Sequence, residues 1–147
     1  MYVPHYDAIL HAIGASREKL NGSTKIEIPL SLFKFLLQIA VTQGEFNLSG
    51  YLTANRDIQD AAKKGQVPDP KMHYVSYGFF EGRRGALPAV DESWYRRTNA
   101  DIDAAVRKGD VSSGSEHFNT IGAEEFRAPS AAHAGDVRKW KDACGKS

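Results

Sequence analysis

Cysteine is nearly absent from this chain of 147 residues, which contains a single thiol, Cys144. One cysteine excludes an intramolecular disulfide and a cysteine-rich metal site. An excess of charge of one sign is also lacking, because 19 basic residues nearly balance 18 acidic ones. No overall field therefore draws the chain to nucleic acid or to an anionic membrane. A local basic surface stays open, with Arg84, Arg96 and Arg97 as candidates.

Long apolar runs are missing as well. The longest, residues 28–41, is interrupted by proline and polar residues, and it is shorter than the roughly 20 residues that a membrane-spanning helix needs. Residues 1–7 contain no basic segment leading into an apolar run, so the sequence predicts no secretory signal and a cytoplasmic protein. The composition, 41% hydrophobic and 25% charged, is that of a globular domain with a core.

The first 45 residues predict a helical cap. Apolar residues at roughly helical spacing indicate one amphipathic helix over residues 6–20, which stops at an Asn-Gly pair. Polar and apolar residues then alternate over 24–28, as in a short strand, and a proline follows. Residues 30–41 are apolar on most sides, and this pattern predicts the most buried helix of the protein.

From residue 46 the sequence repeats itself after a shift of 44 residues, without a gap. A repeat of this length indicates two copies of one small structural unit, each of which leaves an apolar face that a neighbour covers. The identical positions are Tyr51, Asn55, Asp57, Ile58, Ala61, Lys64, Gly65, Val67, His73, Gly78, Glu81 and Arg83, matched by Tyr95, Asn99, Asp101, Ile102, Ala105, Lys108, Gly109, Val111, His117, Gly122, Glu125 and Arg127.

Several recurring residues are typical of helix ends. Asn55 and Asn99 suit a left-handed residue that closes a short helix. Asp57 and Asp101 are predicted to cap the helix that follows.

The ends of the second and third helices are marked in the same way. Gly65 and Gly109 are predicted to end the second helix. Asp69 and Ser113 are predicted to cap the third helix, with Pro70 inside its first turn. Each unit is therefore expected to contain three short helices.

The sequence thus predicts a mainly α fold in three parts. Residues 1–45 form the cap, and residues 46–129 form two tandem helical units, 46–89 and 90–129. Residues 130–147 show little periodicity and are predicted to be a mobile tail. If the cap does not cover both units, the protein is expected to close its core by dimerising.

The repeat resembles a short bacterial module that reads approximately Tyr-Leu, Asn-Pro-Asp-Val, Gly, His-Tyr, Gly and Glu-Gly-Arg. The resemblance implies a role near glycosyltransferase or cell-surface polysaccharide functions, with no assigned chemistry. Arg56 and Ala100 replace the proline of the module. Phe126 replaces a glycine, which predicts that the closing turn of the second copy is built differently from that of the first.

A second resemblance lies upstream. Residues 24–42 resemble the strand and first helix of a ribbon-helix-helix DNA-binding domain. The resemblance implies a dimer in which paired strands enter the major groove and present Lys25 and Glu27 to the bases. A strand-helix junction of this length is also common in proteins that bind no DNA.

The recurring histidines and carboxylates allow a chemical or a structural interpretation. His73 and His117 would have to converge with carboxylates to form a metal or acid/base site. Because both copies carry the same residues, a structural role repeated twice explains them more economically. Arg83 and Arg84 suit an anion or sugar site, because a guanidinium group pairs well with carboxylate and phosphate groups. A structural ion pair at the corner of each copy is again the simpler interpretation.

Phe79 and Phe80 stand apart from the other aromatic residues. Two adjacent aromatic side chains at a turn do not easily both point inward, so at least one is a candidate contact for a partner.

From these patterns we predict a non-enzymatic bacterial module for protein interaction or regulation, with a link to surface polysaccharide production by resemblance. Its partner is expected to be another protein or a second copy of itself. We predict no catalytic residue, metal site or cofactor, because phosphate loops, dinucleotide fingerprints and nucleophile elbows are missing. The alternatives are a dimeric DNA-binding regulator and a carbohydrate-binding or sugar-processing protein.

Overall fold

The protein is mainly helical, as the sequence predicts. The computed structural model describes residues 1–146, which contain ten α-helices and no strand. No helix in this range is long and apolar enough to cross a membrane. The helices are α1 Tyr6–Ala12, α2 Arg17–Leu20, α3 Leu30–Gln43, α4 Leu48–Ala54, α5 Arg56–Lys63, α6 Pro70–His73, α7 Glu92–Thr98, α8 Ala100–Lys108, α9 Gly114–His117 and α10 Ala131–Ala143.

The backbone divides into two compact units, Met1–Gly44 and Glu45–Ser147. In the first unit, the single helix predicted over residues 6–20 is wrong, because the chain breaks between α1 and α2. Gly14 adopts a left-handed conformation, with φ of 71°, just after α1. Ser16 then begins α2, where its hydroxyl accepts a hydrogen bond from the Lys19 N–H at 3.2 Å.

The remainder of the first unit departs from two predictions. Residues 24–28 form no strand, since a strand needs a hydrogen-bonded neighbour and residues 1–146 supply none. Helix α3 forms where expected but is not the most buried helix, because none of its residues is buried. The apolar sequence of α3 favours burial, but residues 1–146 do not bury it.

In the second unit, corresponding elements of the two copies begin 44 residues apart. This holds for α4 and α7, for α5 and α8, and for α6 and α9. Each third helix continues directly into one π-helical turn, Tyr74–Gly78 in the first copy and Phe118–Gly122 in the second. The two copies therefore have the same order of elements with the same spacing.

The predicted helix ends at the second and third helices are confirmed. Gly65 and Gly109 have φ of 73° and 82° and follow the ends of α5 and α8. The Asp69 carboxylate accepts hydrogen bonds from two backbone N–H groups of α6, and Pro70 is its first residue. The Ser113 hydroxyl accepts a hydrogen bond from the Glu116 N–H at the start of α9, at 3.0 Å.

The last segment differs from the predicted tail, because residues 131–143 form helix α10. Its beginning is attached to the rest of the second unit. His133 Nδ1 shares a hydrogen bond of 2.8 Å with the Ser130 hydroxyl, and His133 Nε2 lies 3.3 Å from a Glu45 carboxylate oxygen. Trp140 remains 50% exposed. Ala, Lys and Arg favour a helix without requiring a marked apolar face, which is why periodicity did not reveal it.

Candidate functional site

Each copy contains a buried tyrosine that is hydrogen-bonded to the recurring histidine. The Tyr51 hydroxyl lies 3.0 Å from His73 Nδ1, and the Tyr95 hydroxyl lies 2.9 Å from His117 Nδ1. Both tyrosines are fully buried, and this burial raises the pKa of each hydroxyl above its ordinary value. Each histidine therefore bonds to the core of its own copy.

The recurring glycines of the π turns make room for these tyrosines. A Cβ atom built at Gly78 would overlap the Tyr51 hydroxyl, and one built at Gly122 would overlap the Tyr95 hydroxyl. Neither glycine has a positive φ, so glycine is needed here for space and not for backbone freedom. The recurrence of Gly78 and Gly122 follows from this close approach.

In the first copy, Arg83 joins the corner after the π turn to helix α5. Its Nε donates to Glu81 at 2.6 Å, and its Nη1 lies 2.9 Å from an Asp57 carboxylate oxygen. The same nitrogen donates to Asn55 Oδ1 at 3.3 Å. Desolvation raises the pKa of Asp57, but hydrogen bonds from Arg83 and from the backbone outweigh it and lower the pKa overall.

The second copy repeats this arrangement with equivalent residues. Arg127 donates to Glu125 and to Asp101, each at 2.7 Å, and to Asn99 Oδ1 at 2.9 Å. The hydrogen bond from Arg127 lowers the pKa of Asp101 below its ordinary value. All of the recurring charged side chains at this corner are thus engaged within their own copy, which favours the structural role.

Asn55 and Asn99 close α4 and α7 as predicted, but the left-handed conformation predicted for them and the cap positions predicted for Asp57 and Asp101 are wrong. Asn55 and Asn99 have φ of −128° and −118°, which is not left-handed. Each instead lies just before the next helix and donates through its side-chain Nδ2 to the carbonyl of the buried tyrosine, at 2.7 Å. Asp57 and Asp101 consequently lie inside the first turn and pair with arginine. Only the contact with a distant arginine distinguishes these roles, and local sequence does not reveal it.

The closing turn of the second copy is built like that of the first, contrary to prediction. Gly82 has φ of 70°, and Phe126 at the equivalent position has φ of 57°. Phe126 is the only non-glycine residue with positive φ among residues 1–146. This conformation is costly for a side chain with a Cβ atom, so the surrounding contacts impose the turn on phenylalanine.

Arg84, which does not recur, joins the two copies. Its guanidinium donates to the backbone carbonyls of Asn119 and Thr120, and it lies 3.2 Å from a Glu124 carboxylate oxygen. These contacts hold the end of the first copy against the second π turn. Arg84 therefore has an internal role, and its proposed ligand contact remains a prediction.

Phe79 and Phe80 are both half-buried, with ring centroids 5.2 Å apart in an edge-to-face arrangement. The Phe79 ring also packs edge-to-face on Tyr74, at 6.0 Å. The neighbouring Tyr77 is more exposed, at 62%. The phenylalanine pair thus contributes to local packing, and its contact with a partner stays a prediction.

The residues named for the two alternative functions are placed as follows. Lys25 and Glu27 are exposed in a segment without regular structure. His117 Nε2 lies 4.0 Å from a Glu125 carboxylate oxygen, but His117 Nδ1 is hydrogen-bonded to the hydroxyl of the buried Tyr95. Among residues 1–146, no group of three or more His, Cys, Asp or Glu side chains is placed to hold a metal ion.

A charged cleft of about 280 Å³ lies between α7 and α8. Recurrence does not point to it, because most of its charged residues have uncharged equivalents in the first copy, Arg107 with its equivalent Lys63 being the exception. The sequence predicts Arg96 and Arg97 only as part of a local basic surface, without Asp103 or Arg107. A face-by-face comparison of the copies would have revealed the cluster. Its lining residues are Glu92, Ser93, Arg96, Arg97, Asp103 and Arg107.

Comparison of the chain with protein-family models, with curated proteins and with solved structures finds no match.

Proposed function

We propose that this protein is a non-enzymatic interaction module that binds a second copy of itself through the first unit. The observation that carries the proposal is the exposure of helix α3, whose apolar sequence contains no buried residue. The recurring polar residues of the second unit support the non-enzymatic part of the proposal. Their engagement in internal hydrogen bonds and ion pairs is what a scaffold needs, whereas a catalytic group must reach a substrate.

Residues 26–36 contain a group of exposed large apolar side chains. Ile26 precedes α3 and is 53% exposed, and four large residues in the first half of the helix are 49–64% exposed. These are Leu30, Phe33, Phe35 and Leu36. Isolated exposed apolar residues are ordinary, but Leu30, Phe33 and Leu36 follow one another at intervals of three and share one side of α3, whereas Phe35 lies on the other side. An exposed apolar helix face of this kind marks a surface that binds a partner.

The area of this surface matches the requirement of a dimer. Without Phe35, four large side chains exposing about 100 Å² each contribute about 400 Å² per copy. A homodimer interface is about 65% apolar, so this corresponds to about 600 Å² per partner, at the lower end of the range for a stable interface.

Charge also favours a second copy as the occupant. Helix α3 contains one charged residue, Lys34, in its 14 residues. Two such helices can pack together with little repulsion between like charges, whereas a strongly charged partner would find few ion pairs there. A second copy brings the same apolar surface, and the contact is self-complementary by symmetry.

Sedimentation velocity over a range of protein concentrations tests the proposal. The unaltered chain is expected to sediment with the mass of two chains, and Phe33→Asp is expected to sediment as one. A carboxylate buried without a partner costs several kcal/mol. The substitution should therefore raise the Kd of the dimer by more than about 100-fold.

Tyr77→Asp is the matched control, because Tyr77 is an exposed aromatic residue in the second unit, at 62% against 49% for Phe33. It should leave the dimer intact. Circular dichroism should show unchanged helix content for both variants, since neither residue is buried. A chain that remains monomeric at the highest concentration, or a dimer that Phe33→Asp does not weaken, would refute the proposal.

The biological setting remains part of the proposal and depends on the resemblance of the repeat alone. It comprises a bacterial, cytoplasmic protein linked to surface polysaccharide production. Deleting the gene and measuring surface polysaccharide in the native host tests this setting separately from dimerisation.

A further inference from the structure

We propose that the cleft between α7 and α8 binds a phosphomonoester, through the guanidinium groups of Arg96, Arg97 and Arg107. The cleft lies within the second copy and does not involve the surface proposed for dimerisation. Its volume of about 280 Å³ accommodates a phosphate group together with a small organic substituent.

Positive charge in the cleft exceeds the negative charge that offsets it. Asp103 pairs with Arg96 at 2.7 Å and with Arg107 at 2.9 Å, so one carboxylate serves two guanidinium groups. The Arg97 side chain makes no hydrogen bond or ion pair with any residue in the range 1–146. A guanidinium carries five N–H donors, and most of those in the cleft remain available to a ligand.

The second carboxylate of the cleft is already occupied. Glu92 Oε1 accepts a hydrogen bond from the Gly114 N–H at 2.7 Å, and Oε2 accepts one from the Ser115 N–H at 2.9 Å. These bonds hold the beginning of α9 against α7. Glu92 therefore does not turn its oxygens to the arginines, and an anion from solution can take that place.

The first copy shows that the fold does not need this charge. Helices α4 and α5 have the same spacing as α7 and α8, yet the positions equivalent to Arg96 and Arg97 hold Leu52 and Thr53. The position equivalent to Asp103 holds Gln59. Since one copy forms these helices without the cluster, packing alone does not account for the cluster in the other.

The chemistry of the arginines favours phosphate over carboxylate. A phosphomonoester is a dianion with three terminal oxygens, and it can accept hydrogen bonds from three guanidinium groups at once. A carboxylate has one charge and two oxygens, and the cleft already contains two such groups.

The test follows backbone amide resonances of the full chain during titration with inorganic phosphate. The titration is run at about pH 8, where phosphate is a dianion, and sodium chloride keeps the ionic strength constant. Resonances of residues 92–97 and 103–107 are expected to shift and to saturate. Acetate at equal ionic strength is expected to produce no saturating shift.

Two pairs of variants locate the site. Arg97→Ala is expected to raise the Kd for phosphate about five- to tenfold, and Arg107→Ala about threefold, because each removes charge-assisted hydrogen bonds. Thr53→Ala and Lys63→Ala alter the equivalent positions of the first copy and should change the Kd by less than about twofold. The Arg97 side chain has no internal partner in residues 1–146, so its removal should leave the fold intact.

Saturation by phosphate that depends on Arg97 and Arg107 supports the proposal. The absence of saturable shifts in the unaltered chain would overturn it. Equal affinity for acetate, or an equal loss of affinity in the first-copy variants, would also overturn it, because either result would describe non-specific attraction to charge.

Discussion

Replacing Gly122 by alanine should push the new methyl group into the Tyr95 hydroxyl. Tyr95 is fully buried, and Phe118 packs edge-to-face on its ring with centroids 5.9 Å apart. Its hydroxyl also shares a hydrogen bond with His117. The ring therefore has little freedom to move away. Apart from the hydroxyl, the nearest atom to the new methyl group is His117 Nδ1 at 3.1 Å, a tight but adjustable contact.

The expected loss of unfolding free energy is estimated separately for the added methyl group and for the removed hydroxyl. Overpacking in Gly122→Ala should lower the free energy of unfolding by about 2 kcal/mol. Tyr95→Phe removes the hydroxyl and its hydrogen bond and should cost about 1 kcal/mol. In the double variant the methyl group occupies the space that the oxygen leaves. Its cost should be about 1 kcal/mol instead of the sum of about 3 kcal/mol, a coupling of about 2 kcal/mol.

Urea denaturation followed by circular dichroism measures the three variants. Gly135→Ala is the control, because a Cβ atom at Gly135 in helix α10 would meet no atom within 4 Å. That variant should gain up to about 1 kcal/mol from helix propensity. If the costs of Gly122→Ala and Tyr95→Phe simply add, the explanation of this glycine by the tyrosine hydroxyl is refuted.

Two further variants probe the corners of the copies. Gly82→Ala should destabilise the protein by about 1 kcal/mol, because alanine is strained at the positive φ of this position; a denaturation midpoint that moves the other way would contradict this. Because Arg127 lowers the pKa of Asp101 below its ordinary value of 3.8, the stability contributed by the carboxylate is present above that value and lost as pH falls through the lower folded pKa. Asp101→Asn should therefore cost less than about 1 kcal/mol at neutral pH, given the solvent exposure of the pair, and should flatten the acid side of the stability curve. An unaltered acid limb in Asp101→Asn would contradict the argument.

Helix ends were predictable wherever a residue acts on its immediate neighbours. Asp69 and Ser113 accept hydrogen bonds from N–H groups two or three residues away. Gly65 and Gly109 adopt a conformation that the residue itself allows. Such interactions depend on a few consecutive residues, so the sequence contains all of the necessary information.

The corner residues show why other predictions were wrong. Asn55 and Asp57 are suited to helix ends by type, but both also contact Arg83, which lies 26 or 28 residues away. Their roles depend on the packing of Arg83, at the end of the copy, against the beginning of α5. Phe126 shows the reverse case, because a local preference against positive φ was overcome by the contacts around the turn.

The exposed helix α3 shows a different limit. An apolar pattern reports that side chains gain free energy when they leave water. It does not report whether the same chain supplies the covering surface, and here residues 1–146 leave Leu30, Phe33, Phe35 and Leu36 largely exposed.

The sequence by itself determined the helical class, the 44-residue spacing and the local caps, because these depend on residue type and on contacts within a few positions. Only the tertiary structure decided the roles of the recurring polar residues and the place of the charged cleft. Tyr51 meets His73 across 22 residues, and Arg84 meets Glu124 across 40. Contacts at such separations arise from the packing of short helices, which no local pattern of residues specifies.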